Sequence, residues 1–115
     1  MGQFVMRQVP SGIKFDLLAG NGQVIATSEV YRTAAACRKG MESVRRYGPT
    51  AGIGDEEAGE MTAHPRFGIF RDKAGEYRFR LTSRNGRVIA VSGGYSTKAA
   101  CFAGIESVRL NAAEE

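Results

Sequence analysis

Residues 77–91 read Tyr77-Arg78-Phe79-Arg80-Leu81-Thr82-Ser83-Arg84-Asn85-Gly86-Arg87-Val88-Ile89-Ala90-Val91. In the first six, Tyr77, Phe79 and Leu81 alternate with Arg78, Arg80 and Thr82. A period of two marks a strand with one face in a core and the other in water. Asn85-Gly86 is a strong hairpin signal, because both residues tolerate positive φ. Residues 87–91 then form the returning strand. Upstream, residues 67–71 have strand composition, and Asp72-Lys73-Ala74-Gly75 is a turn. Downstream, Thr97 is placed to cap a helix, its hydroxyl accepting an unpaired backbone N–H. The apolar positions of that helix are Ala100, Cys101, Gly104, Ile105 and Val108, at three- and four-residue spacing.

The same text occurs 64 residues earlier. Val24-Ile25-Ala26 matches Val88-Ile89-Ala90, and Asn21-Gly22 matches Asn85-Gly86. Ala35-Ala36-Cys37 matches Ala99-Ala100-Cys101. Aligned without gaps, residues 1–47 and 65–111 are identical at 19 of 47 positions, 18 of them from residue 13 onward. An internal repeat is the first organising fact. The first copy repeats the strand residues Ile13, Phe15 and Leu17, the cap Thr33, and the helix positions Ala36, Cys37, Gly40, Met41 and Val44. A glycine inside a helix costs about 1 kcal/mol against alanine. Gly40 and Gly104 at the centre of both apolar stripes therefore point to close approach of another helix or sheet backbone.

The chain has 115 residues and a net charge of +4, from 16 Lys and Arg against 12 Asp and Glu. That charge is distributed as +4 over residues 1–47, −4 over 48–64 and +4 over 65–115. The middle segment is glycine-rich and has no sustained period. It reads as a flexible acidic linker, with a short strand near Ile53 as the rival. The expected organisation is a first repeat at 1–47, a linker at 48–64, a second repeat at 65–111 and a tail at 112–115. A β-β-β-α unit of about 47 residues buries too little surface to offset its ordering entropy alone. The two copies should share one core. The expected fold is α+β: one mainly antiparallel sheet with both helices on one face and pseudo-twofold symmetry.

The pattern resembles the YegP-like family of small uncharacterised bacterial proteins. The resemblance rests on Phe70 through Leu81, then Asn85 through Ala90, Ser92, Tyr95 and Lys98 through Cys101. It continues through Gly104 to Arg109 and Asn111-Ala112. The first copy carries the same skeleton more loosely, from Phe15 through Asn21-Gly22 to Val44-Arg45. The resemblance implies tandem β-β-β-α-β units that form one sheet and exchange terminal strands. Residues 112–115 are too few for an ordinary closing strand, so the exchange is left open here. The resemblance implies no activity and no catalytic residues.

The side chains offer little chemistry. The lone histidine, His64, and two cysteines 64 residues apart lack the ligand spacing of a zinc site. No metal and no cofactor is expected. Cys37 and Cys101 read as small buried hydrophobes. Ser28 and Ser92 follow strands without a visible base, and read as partners of local backbone. Tyr31 and Tyr95 read as anchors of the strand-to-helix turn, alongside the turn residues Asn21, Gly22, Asn85 and Gly86. Glu42 and Glu106 recur with the repeat and read as surface charges. No phosphate-loop motif is present.

The least routine feature is arginine. Arg71, Arg78, Arg80, Arg84 and Arg87 are candidate anion-binding residues on an open sheet face. Three functions stay in play. The first is a non-catalytic binding or structural module. The second is nucleic-acid or other anion binding through that face, and the third an enzyme with an unrecognised site. The partner is unknown; self-association that completes sheet edges is one possibility. No apolar run is long enough to span a membrane, and no secretory signal is visible, so a cytoplasmic location is the expectation.

Overall fold

In the computed structural model, residues 2–113 are described. The first repeat supplies β1 (Gln3–Val9), β2 (Gly12–Leu18), β3 (Val24–Thr27) and α1 (Ala34–Tyr47). The second supplies β5 (Arg66–Arg71), β6 (Tyr77–Thr82), β7 (Val88–Val91) and α2 (Lys98–Ala112). Between them lies β4 (Gly52–Asp55). All seven strands form one sheet in the order β1-β2-β3-β7-β6-β5-β4. Every pairing is antiparallel except β4 with β5.

The repeat symmetry is written into that order. Each strand of the first repeat has its 64-residue counterpart at the mirrored position, and the copies meet at β3 and β7. There Thr27 pairs with Val91, its own counterpart. A residue facing its own copy marks a twofold axis. Both hairpins also shift register at the same place, Leu17/Leu18 and Leu81/Thr82.

The apolar side of the sheet and the two helices enclose one core. Phe15, Leu17, Phe67, Ile69, Phe79 and Leu81 meet Val44, Ile105 and Val108, all fully buried. α1 crosses onto β7, and α2 onto β2 and β3. Neither repeat therefore owns its core. The radius of gyration, 13.3 Å, is that of a single domain of this length, about 13 Å.

The local devices match the sequence. Thr33 and Thr97 cap the helices, each hydroxyl accepting an N–H three residues on at 3.0 Å. Gly22 and Gly86 adopt φ of 86° and 84°. Ser28 Oγ accepts from the Phe15 N–H at 2.9 Å and donates to the Glu29 carbonyl; Ser92 does the same with Phe79 and Gly93. Cys37 and Cys101 are buried.

Two expectations need correction. First, the mid-helix glycines accommodate a side chain, not a neighbouring backbone. A Cβ at Gly40 would strike the Tyr31 hydroxyl, and one at Gly104 the Tyr95 hydroxyl. Each tyrosine is pinned from behind. Tyr31 exchanges both backbone hydrogen bonds with Ile13, and Tyr95 with Tyr77. Their rings stack on Phe15 and Phe79.

Second, the glycine-rich connector contains a strand. β4 runs from the first repeat to the outer edge of the second and pairs parallel to β5, Ile53 beside Phe67 and Asp55 beside Ile69. Ala51 and Asp55 are buried. Gly54 permits the close approach of Thr62, whose Oγ1 would lie 3.0 Å from a Cβ there. Residues of α2 hold the strand. Lys98 Nζ reaches Asp55 Oδ2 at 2.7 Å, and Arg109 donates to the Ala51 carbonyl at 2.7 Å. The first repeat thus does place a strand on the second. Of the expected tail at 112–115, Glu114 and Glu115 lie outside the described residues.

Candidate anion-binding cleft

The five arginines singled out in the sequence do not act as one patch. On the open face, Arg78 Nε meets Asp72 Oδ2 at 2.7 Å. That pair holds the Asp72 carboxyl below its ordinary range, helped by the Glu76 backbone N–H. Arg80 lies 3.9 Å over the Phe70 ring. Arg71 pairs with Glu57 at 2.9 Å and covers the Tyr77 ring. In the first repeat Arg7 pairs with Asp16 at 2.8 Å, where the 64-residue counterparts are Arg71 and Arg80. Arginines that already hold a carboxylate have little charge to offer a ligand. The expected anion-binding sheet face is therefore divided into local contacts.

Arg84 and Arg87 stand apart. They flank the Asn85-Gly86 turn at one end of the β6–β7 hairpin. The shared core brings that end against α1 of the other repeat. The gap between them is a cleft of about 480 Å³. Tyr31, Gly40 and Ile89 are among its lining residues; Lys39 and Ser43 come from α1, and Ser83, Arg84 and Arg87 from the hairpin. Lys39, Arg84 and Arg87 are exposed, and none forms an ion pair among the described residues. Among the described residues no carboxylate lines this cleft. Burial pushes the Tyr31 hydroxyl up from its ordinary value, and the positive charge of Arg87 opposes the shift.

The repeat supplies an internal control. Six lining positions are unchanged in the symmetry-related copy: Tyr31 with Tyr95, Ala36 with Ala100, Gly40 with Gly104, Ser43 with Ser107, Asn85 with Asn21 and Ile89 with Ile25. These form the scaffold. The three cations are not repeated. Lys39 corresponds to Ala103, Arg84 to Gly20 and Arg87 to Gln23. Packing accounts for what the two copies share and says nothing about the charges only one carries.

A second cavity, of about 690 Å³, adjoins the first along α1 and shares Lys39, Ser43 and Tyr47 with it. Glu42, Arg45 and Arg46 complete its lining. Arg45 also lies 4.6 Å over the Phe4 ring. Sequence reasoning missed Lys39, Ser43 and Tyr47. Their difference from Ala103 and Asn111 was visible at the lysine and tyrosine, but only the fold brings α1 beside Arg84.

No group of three or more His, Cys, Asp and Glu is placed to hold a metal among the described residues. Burial pushes the Cys101 thiol up to about 11 and raises that of Cys37. His64 Nδ1 lies 2.7 Å from Thr82 Oγ1, outside both cavities. No helix among the described residues is long and apolar enough to cross a membrane.

Comparison with known proteins agrees with the repeat architecture. A family model described as "Domain of unknown function (DUF1508)" matches residues 12–55 and 72–115. The first match includes β4. A UPF0339 protein of Mannheimia succiniciproducens is 38% identical over 114 residues, covering 98% of this chain and 89% of that protein. A UPF0339 protein of Treponema denticola is 55% identical over 47 residues, which are 81% of its length. One repeat is thus nearly a whole protein there. The solution structure of YegP from E. coli, a protein of unknown function, has 30% identity and a TM-score of 0.79. That likeness covers 99% of this chain and 88% of that one. The chain belongs to this DUF1508, or UPF0339, family of YegP-like proteins, and carries two copies of its repeat.

Proposed function

We propose that this protein is a non-catalytic binding module whose ligand is an anion held in the cleft between α1 and the β6–β7 turn. The observation that carries the reading is the convergence of Lys39, Arg84 and Arg87 without an ion pair among the described residues, on a scaffold whose other copy is neutral at all three positions. Unpaired cations in a partly enclosed gap attract phosphate or carboxylate more strongly than cations already holding an acid. The Ser43 hydroxyl adds a donor suited to phosphate oxygens. The non-catalytic part rests on what lines the site: cations, hydroxyls and an amide, with no carboxylate, imidazole or thiol among the described residues to move a proton near neutral pH.

Titration with pyrophosphate at low salt, followed by backbone amide NMR shifts, tests the reading. Shifts should centre on Lys39, Ser43, Arg84 and Arg87, and vanish in the Lys39→Ala/Arg84→Ala/Arg87→Ala variant. A folded triple variant that binds equally well would overturn it. So would a turnover activity that substitution in the cleft abolishes.

A further inference from the structure

We infer that the anion is the backbone of a single-stranded nucleic acid, lying along α1 from the Asn85-Gly86 turn to Arg46. This assignment rests on the cleft reading above and specifies its ligand. The first ground is continuity. Lys39, Ser43 and Tyr47 line both cavities, so the two form one groove instead of two isolated hollows. The second is length. Lys39 and Arg46 are seven residues apart on α1, about 10.5 Å along its axis, and Arg84 and Arg87 stand across the cleft from Lys39, Ser43 and Tyr47. Cations spread over that length on α1 and across the cleft suit the successive phosphates of a strand better than a single phosphate group.

The third ground is the other helix. On α2 the counterparts of Lys39 and Arg46 are Ala103 and Leu110, and Leu110 is 77% exposed. Water-facing positions of these helices thus need no cation for folding, and the row belongs to one copy only. The fourth is Tyr47, half-buried where the cavities join, with Arg46 5.8 Å over its ring. Its counterpart is Asn111. A cationic groove with an aromatic ring beside it follows the phosphates and stacks a base without regard to sequence. Glu42 is the one carboxylate in the row among the described residues; it lines the same groove and keeps the attraction moderate. A duplex is a broad convex rod, and the cations here line a recess.

Fluorescence anisotropy with a labelled mixed-sequence DNA 12-mer tests the proposal, with pyrophosphate titrated in parallel. Binding should weaken with salt at a log–log slope of about −0.7 per phosphate neutralised, or about −2.8 for Lys39, Arg46, Arg84 and Arg87 together. Arg46→Ala should weaken oligonucleotide binding several-fold and flatten the slope by about 0.7, while leaving pyrophosphate binding unchanged. Arg38→Ala removes the same charge from α1 outside both cavities and should do much less. Pyrophosphate binding without oligonucleotide binding overturns the nucleic-acid assignment and leaves the anion cleft standing. Equal losses in Arg38→Ala and Arg46→Ala reduce the effect to net charge and overturn it, as does equal or tighter binding of a 12-mer duplex. Failure of both ligands overturns the cleft reading itself.

Discussion

Gly104→Ala should destabilise this protein, although in most helices the same change stabilises. In an open helix interior, glycine to alanine gains about 1 kcal/mol. Here the new methyl would strike the Tyr95 hydroxyl and lie 2.6 Å from Cζ of that ring. The ring has no simple retreat. Its backbone is held by two 2.7 Å hydrogen bonds to Tyr77, and its face lies 6.4 Å from Phe79 at 15°. Overpacking of this kind costs about 1–3 kcal/mol. Set against the helix gain, the net is a loss of about 0–2 kcal/mol. Urea unfolding with a slope of about 2 kcal/mol/M would show the centre of that range as a midpoint lowered by ~0.5 M. Gly40→Ala meets the same obstacle at Tyr31 and serves as a replicate, with the added expectation that it disturbs the cleft. A Tyr95→Phe/Gly104→Ala double variant should recover part of the loss, because the hydroxyl is the atom struck first. If Gly104→Ala instead gained about 1 kcal/mol, with no coupling to Tyr95, the close contact would not be what holds glycine there.

Two further outcomes follow from groups outside the cleft. Lys98 holds the Asp55 carboxyl below its ordinary 3.8, and Asp55 raises Lys98 above 10.5. A depressed acid stabilises the fold above its unfolded value and loses that contribution as pH falls through the folded value; a raised lysine does the reverse in alkali. The clamp on β4 should therefore be intact at neutral pH; its contribution should start to fall below the ordinary 3.8 of the Asp55 carboxyl and be lost through the lower folded value, and in alkali start to fall above the ordinary 10.5 of Lys98 and be lost through the raised one. In Lys98→Met the Asp55 carboxyl should titrate closer to its ordinary value in a carbon-detected NMR titration, and an unchanged Asp55 would remove the clamp as its cause. The second outcome concerns Cys37 and Cys101, whose thiols are buried and raised, Cys101 to about 11. Since only the thiolate reacts, both should resist a thiol reagent at pH 8 until denaturant unfolds the chain. Fast modification of the native protein would contradict the burial.

How much was legible in the sequence depended on the range of the interaction. Caps, turns and the buried faces of β2, β6 and both helices were legible because they depend on neighbours within a few residues. The 64-residue repeat extended that legibility to symmetry, since two copies of one amphipathic unit must cover each other. β4 was legible only as the rival to a flexible linker, because Gly52-Ile53-Gly54-Asp55 has no pattern of its own. It is a strand only because β5 offers a parallel ladder and α2 supplies Lys98 and Arg109. The candidate site was half legible. Arg84 and Arg87 were named, and so were Arg71, Arg78 and Arg80, which the fold assigns to Asp72, Glu57 and aromatic rings.

By itself, the sequence determined a duplicated β-β-β-α unit, its family, and a basic charge split by an acidic connector. The tertiary structure alone decided which cations remain unpaired and which helix stands beside which turn. Alternation and capping are local properties of a backbone, so each copy displays them. A cleft between α1 of one copy and a hairpin of the other exists only when the two close on a common core. Charges that differ between the copies acquire a shared location only at that point.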